Sequence, residues 1–252
     1  MVKRIVAGAA VVAAVLASAG AHAVPAARAS SNSVPVGVPG NWTLAFDDEF
    51  NGTAVDTSNW AVGDGDTVNN VTTTPANVSE GGGYLTLTLS NSSTGAVICG
   101  GGWDTPCSGY APDGPTLPVG GYAEARVWFP GSGTTIYNWP AWWASGPDWP
   151  AAGEVDIAEG LGTLTVNYHS PSGAHNQGTV PGTWSNGWHV YGVYRYATSD
   201  DVYWDGTLVK SFPTDDNGQP EALILNVGSG NKAAYGTASQ VKVDYVRVWT
   251  GG

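Results

Sequence analysis

Leu85, Leu87 and Leu89 alternate with Thr86 and Thr88, a period of two that predicts a strand with one dry face. The pattern recurs from Gly121 to Phe129, where Ala123, Ala125, Val127 and Phe129 fall on one face and Tyr122, Glu124, Arg126 and Trp128 on the other. The first face suits a core and the second a solvent or ligand surface. Between Val202 and Val209, Asp205-Gly206 supplies the positive φ that a two-residue hairpin turn needs, and Val241 to Trp249 reads as a further strand. Beyond the first 23 residues no stretch holds a 3.6-residue apolar period. Short, numerous strands must bury their apolar faces on each other, which predicts an all-β, two-sheet antiparallel sandwich of the jelly-roll kind.

Composition strengthens this reading. Among 252 residues there are 36 Gly and 16 Pro, and charged residues make only 12%, a balance that disfavours a helical bundle. With 42% hydrophobic residues, the chain can bury a sizeable core. Lys3 and Arg4 precede an apolar run from Ile5 to about Leu16 and the small-residue site Ala21-His22-Ala23, so residues 1–23 read as a secretory signal peptide. The run contains Gly8 and is shorter than the ~20 residues of a spanning helix, which disfavours a membrane anchor. Residues 24–40, rich in Ala, Pro, Ser and Val, read as a linker or ragged terminus. Residues 41–252 then form one domain.

Nine Lys and Arg against 21 Asp and Glu give a formal charge of -12, which excludes nucleic acid and anionic membranes as partners and favours a neutral substrate. A secreted, extracellular monomer is expected. Export would place Cys99 and Cys107 in an oxidising compartment, where a disulfide is the expected state. The His and Cys spacings lack a zinc pattern.

The chemistry concentrates in Gly153-Glu154-Val155-Asp156-Ile157-Ala158-Glu159-Gly160. On a helix the three acids would point to about 0°, 200° and 140°, sharing no face. On a strand Glu154 and Asp156 share one face, and a bulge at Ile157-Ala158 would turn Glu159 back to it. Two Glu carboxyls facing one cleft can cleave a glycosidic bond, one attacking the anomeric carbon and the other protonating the leaving oxygen. Asp156 between them is expected to keep Glu159 protonated while supporting an ionised Glu154. Trp139 and Trp143, four apart, would share a face on which indole rings stack on sugars.

This segment resembles the E-x-D-x-x-E active-site strand of the bulged, laminarinase-like branch of glycoside hydrolase family 16. Further segments are similar in the family's order: Phe46-Asp47-Asp48-Glu49-Phe50-Asn51-Gly52, Gly121-Tyr122-Ala123-Glu124-Ala125-Arg126, Trp139-Pro140-Ala141-Trp142-Trp143, Leu223-Ile224-Leu225-Asn226 and Asp244-Tyr245-Val246-Arg247-Val248. The resemblance implies a concanavalin-like jelly roll with a substrate cleft across its concave sheet, and retaining cleavage of an internal β-linkage. It implies Glu154 as nucleophile, Glu159 as acid/base and Asp156 as assisting carboxylate. It further implies sugar contacts from Asn77, Arg126, Trp139, Trp143 and His169, no catalytic cofactor, and a structural calcium held by Glu49 and Asp244. The laminarinase-like G-G-x-W segment is replaced by Val227-Gly228-Ser229-Gly230-Asn231-Lys232, which lacks the Trp. A β-1,3-glucan is the leading substrate. Galactan, mixed-linkage glucan, transglycosylation and a non-catalytic lectin-like module are the alternatives.

Overall fold

The computed structural model describes residues 33–101, 106–109, 111–172, 178–230 and 238–252. The expected leader, residues 1–23, and the Asn231-Lys232 pair lie outside the described residues. The longer strands are β1 (Thr43–Asp48), β2 (Leu85–Leu89), β3 (Thr94–Cys99), β4 (Gly121–Trp128), β5 (Trp139–Ser145), β6 (Glu154–Gly160), β7 (Leu164–His169), β8 (Trp188–Arg195), β9 (Ser199–Trp204), β10 (Thr207–Pro213), β11 (Glu221–Gly228) and β12 (Ser239–Thr250). One sheet runs β10-β9-β8-β4-β12-β2, then the short strand Val78–Glu80, with β1 alongside β12. The other runs from Gly178–Thr179 through β7-β6-β5-β11-β3 to the short strands Val71–Thr73 and Thr67–Val68. Pairing is antiparallel except where Val71–Thr73 meets β3. This is the all-β jelly roll that the alternation predicts.

The core lies between the sheets, where the inward positions read off the sequence are found. Leu85, Leu87 and Leu89 on β2, and Ala123, Ala125 and Val127 on β4, are wholly buried, as is Phe129 just beyond β4. Their opposite numbers include Val155, Ile157, Leu223 and Leu225. At the β9–β10 hairpin Trp204 pairs with Thr207, and Asp205 and Gly206 take φ of 46° and 75°, as that dipeptide predicts. Cys99, at the end of β3, is disulfide-bonded to Cys107.

The segment before β1 departs from expectation. Residues 33–40, assigned to a linker, lie on the outer face of the β4-containing sheet. The Ser33 carbonyl accepts from Trp249 Nε1 at 2.8 Å, and Val36 N–H donates to Glu124 Oε2 at 2.9 Å. Val38 packs with Tyr122 and Trp249. The physical reason is that Tyr122 and Glu124, on the non-core face of β4, need a cover: Glu124 is fully buried and accepts from Val36 and Tyr245. Half of that face is therefore interior, and the half bearing Arg126 and Trp128 remains only partly buried.

Candidate active site

The acidic strand is bulged where its sequence requires. Against β7, Asp156 pairs with Asn167 and Glu159 with Thr165, so three steps on β6 match two on β7. Against β5, Ala158 opposes Trp142 while Asp156 opposes Trp143. Ile157 is thus the inserted residue, and it returns Glu159 to the face of Glu154 and Asp156. The Ile157 carbonyl accepts from Trp204 Nε1 of the opposite sheet at 2.8 Å, and the Glu159 carbonyl accepts from Thr165 Oγ1 at 3.1 Å.

All three acids line one cleft of about 480 Å³ together with Trp139, Trp143, Asn167 and His169. On β5 the alternation puts Trp139, Ala141 and Trp143 toward this cleft and sends Trp142 into the core, where its Nε1 donates to the Tyr191 carbonyl. Glu159 is held at both oxygens, by Trp139 Nε1 at 2.6 Å and Asn167 Nδ2 at 2.5 Å. His169 Nε2 stands 3.2 Å from Asp156 Oδ2 and 3.6 Å from Glu154 Oε1. Trp149, on the loop before β6, lies near Glu154 and favours its ionised form. Trp143 Nε1 donates to the buried Asn226 Oδ1 at 2.8 Å.

Burial pushes all three carboxyls above their ordinary range. Glu154 rises to about 8 through burial first and the neighbouring charge of Asp156 second, with His169 pulling the other way. The buried Asp156 rises through burial and the charge of Glu159. Glu159 rises through burial, opposed by the donors Trp139 and Asn167 and by His169. The sequence-based expectation had Asp156 raising Glu159 and leaving Glu154 ionised. In the structure the charge of Asp156 bears on Glu154 as well, and Asp156 and Glu159 repel each other, so the three acids titrate together.

The family described as "XgeA-like, catalytic GH16 domain" matches residues 130–187, the stretch that holds β5, β6 and β7. The glucan endo-1,3-beta-glucosidase A1 of Niallia circulans is 27% identical over 82% of this chain and 37% of its own length. The keratan-sulfate endo-1,4-beta-galactosidase of Sphingobacterium multivorum is 28% identical over 83% of this chain and 55% of its own. Among solved structures, the endo-beta-1,3-glucanase of Pyrococcus furiosus superposes with a TM-score of 0.68 at 21% identity, covering 87% of this chain and 99% of that one.

The chain resembles glycoside hydrolase family 16 through residues 130–187, the stretch that bears the acids. It spans roughly a third to a half of the length of these two curated relatives.

Two of the sugar contacts that the family 16 resemblance implied are not brought to the cleft. Arg126 lies on β4, in the opposite sheet, paired with Asp244 at 2.7 Å and stacked on Trp188. Asn77 ends the 3-10 turn Pro75–Asn77, and its amide is taken up by Ser90 and by the carbonyls of Thr94 and Gly95. In both, position along the chain was matched, but the sheet and direction that the side chain faces are set by folding. Of the two expected calcium ligands, Glu49 accepts from Arg247 through Oε1 at 2.9 Å and Asp244 accepts from Arg126 through Oδ2 at 2.7 Å.

Other cleft residues carry signals that sequence reading passed over. Asn167 is two positions before His169, so a strand at 164–169 puts both on one face. Asn69 and Leu161 line the cleft from loops, and Trp149 and Asn226 reach the cleft residues from other segments. No local period marks such residues.

Proposed function

We propose that this chain is a secreted, retaining endo-β-glycanase that hydrolyses internal linkages of a neutral polysaccharide, foremost a β-1,3-glucan. The observation that carries the reading is the bulge at Ile157, which gathers Glu154, Asp156 and Glu159 into one cleft walled by Trp139 and Trp143. The Niallia relative, a glucan endo-1,3-beta-glucosidase, favours the glucan. The galactosidase relative makes a galactan the second reading. The basic n-region, apolar run and small-residue site of residues 1–23 support export.

In this reading Glu154 attacks the anomeric carbon while Glu159 protonates the departing oxygen, leaving a glycosyl ester on Glu154. Glu159 then takes a proton from water, which attacks the anomeric carbon, expels the Glu154 carboxylate and releases the sugar with its β configuration. Trp139 Nε1 and Asn167 Nδ2 are placed to stabilise the Glu159 carboxylate that forms when its proton leaves. The acids crowd together, so the cleft holds shared protons and the productive arrangement is one proton on Glu159 with Glu154 ionised. His169, 3.6 Å from Glu154, favours the ionised form of both Glu154 and Glu159. The Asn226 amide ties the Trp143 indole and, at 3.5 Å, the Trp139 carbonyl, fixing both indole walls against which pyranose rings stack.

A panel of β-1,3-glucan, mixed-linkage glucan, agarose and galactan, assayed for new reducing ends, tests the substrate. Glu154→Gln is expected to abolish cleavage of whichever is turned over while leaving the protein folded. Cleavage of none by the unmodified protein, or undiminished turnover by the variant, overturns the reading.

A further inference from the structure

A second hollow of about 500 Å³ opens on the sheet that does not carry the acids. Trp128, Pro130 and Tyr137 line it with apolar surface, and Asn186, Gln240 and Lys242 with donors and acceptors. It occupies the part of the outer face that residues 33–40 leave uncovered. Trp128 lies opposite Trp188 on β8 and opposite Lys242 on β12, so three adjacent strands send long side chains to the same side. Lys242 Nζ stands 5.1 Å from the Tyr84 ring centre and 5.7 Å from that of Trp128, and among the described residues it makes no ion pair. Aromatic side chains on the outer face of a sheet, with no further layer of the described residues over them, lack the packing that ordinarily accounts for such residues.

We propose that this hollow is an auxiliary glycan-binding site that holds a second stretch of the neutral polysaccharide engaged by the cleft. The chemistry is that of sugar recognition: ring faces for the apolar side of a pyranose, with amides and an ammonium for its hydroxyls. The hollow also adjoins the cleft in the chain, since Tyr137 lines one and Trp139, two residues on, lines the other. In a chain with 21 acidic residues and nine basic ones, the surrounding field disfavours a polyanion, and one Lys supplies directional hydrogen bonding without reversing it. Two linked sites on one polymer raise the effective concentration at each, so the outer site acts on long chains and leaves short substrates unaffected.

This inference rests on the proposed glycan-degrading function, and its test separates the two. Glu154→Gln is run by native electrophoresis through gels containing laminarin or mixed-linkage glucan, alone and combined with Trp128→Ala, Gln240→Ala or Trp143→Ala. Trp128→Ala is expected to weaken retardation at least tenfold and Gln240→Ala two- to fivefold, with Trp143→Ala weakening it independently. In the otherwise unmodified enzyme, Trp128→Ala should lower kcat/KM on the polymer and leave it within twofold on a short aryl oligoglucoside. If Trp128→Ala fails to fold, Lys242→Met and Gln240→Ala carry the comparison. Retardation that only Trp143→Ala removes, retardation only by anionic polysaccharides, or none at all overturns the outer site. Trp128-dependent retardation in a protein that cleaves no glycan sustains the outer site and overturns the catalytic reading instead.

Discussion

Trp204 Nε1 and the Ile157 carbonyl meet at 2.8 Å across the sandwich, so the one residue inserted into the acidic strand is tied to the opposite sheet. The bond is wholly buried, and loss of its donor would leave a carbonyl without a partner. Trp204→Phe keeps a ring in place and removes that donor. It should cost about 1–3 kcal/mol in urea unfolding. It should also lower kcat with little change in KM, because the bulge that aims Glu159 loosens while the sugar-stacking walls stay. Equal loss of stability with unchanged kcat would show that the bulge holds without Trp204.

The pH profile of kcat/KM should respond to Asp156 and His169 in opposite directions. Glu154 must be ionised to attack, and its neighbour Asp156 helps hold it near 8. Asp156→Asn removes that repulsion, so the acid limb should move to lower pH even as turnover falls. His169→Gln removes a group that lowers Glu154, so its acid limb should move to higher pH. Limbs that stay fixed in both variants would detach Glu154 from the profile.

Stability should carry the same signature with the chemistry removed. A carboxyl raised from 4.5 to about 8 on folding binds more protons in the folded state, so its contribution is full below about pH 4.5 and is lost as pH rises through 8. Glu154→Gln does not titrate. Its melting temperature should match that of the unmodified protein near pH 4, exceed it increasingly up to about pH 8 and hold a constant margin above that. A difference independent of pH would contradict the burial cost assigned to Glu154.

Glu159→Ala should lose about 10²- to 10⁴-fold in activity on natural glycans and much less on aryl glycosides, whose leaving groups need little protonation. Added azide should restore turnover and give a β-glycosyl azide, identified by nuclear magnetic resonance. An α-azide, or an α anomer as the first product of the unmodified enzyme, would exchange or remove the roles given to Glu154 and Glu159.

Features confined to one strand were legible in the sequence, and those that need two sheets were not. The spacing of Glu154, Asp156 and Glu159 by itself demands a bulge, because an unbroken strand alternates strictly and a helix gives the three acids no common face. Trp139 and Trp143 followed from the same period. The anchor Trp204 and the clamp Asn226 are separated from the residues they hold by 47 and 83 positions, and nothing local marks them. Arg126 failed because the face of β4 that bears it belongs to the sheet away from the acids. Residues 33–40 looked like a linker since Pro, Ser and Val form no period, yet Val38 and one backbone N–H suffice to dock them.

The position of β12 bears on how the chain reaches its native fold. It lies between β4 and β2 and is the strand with which β1 pairs, Thr43 standing opposite Thr250. A chain that has emerged only as far as residue 238 has a gap in the middle of the sheet, and both β1 and the face of β2 turned to β12 lack a neighbour. Closing loops of such length is entropically costly and slow, so folding should be a late, cooperative event with little native structure before the final strand arrives.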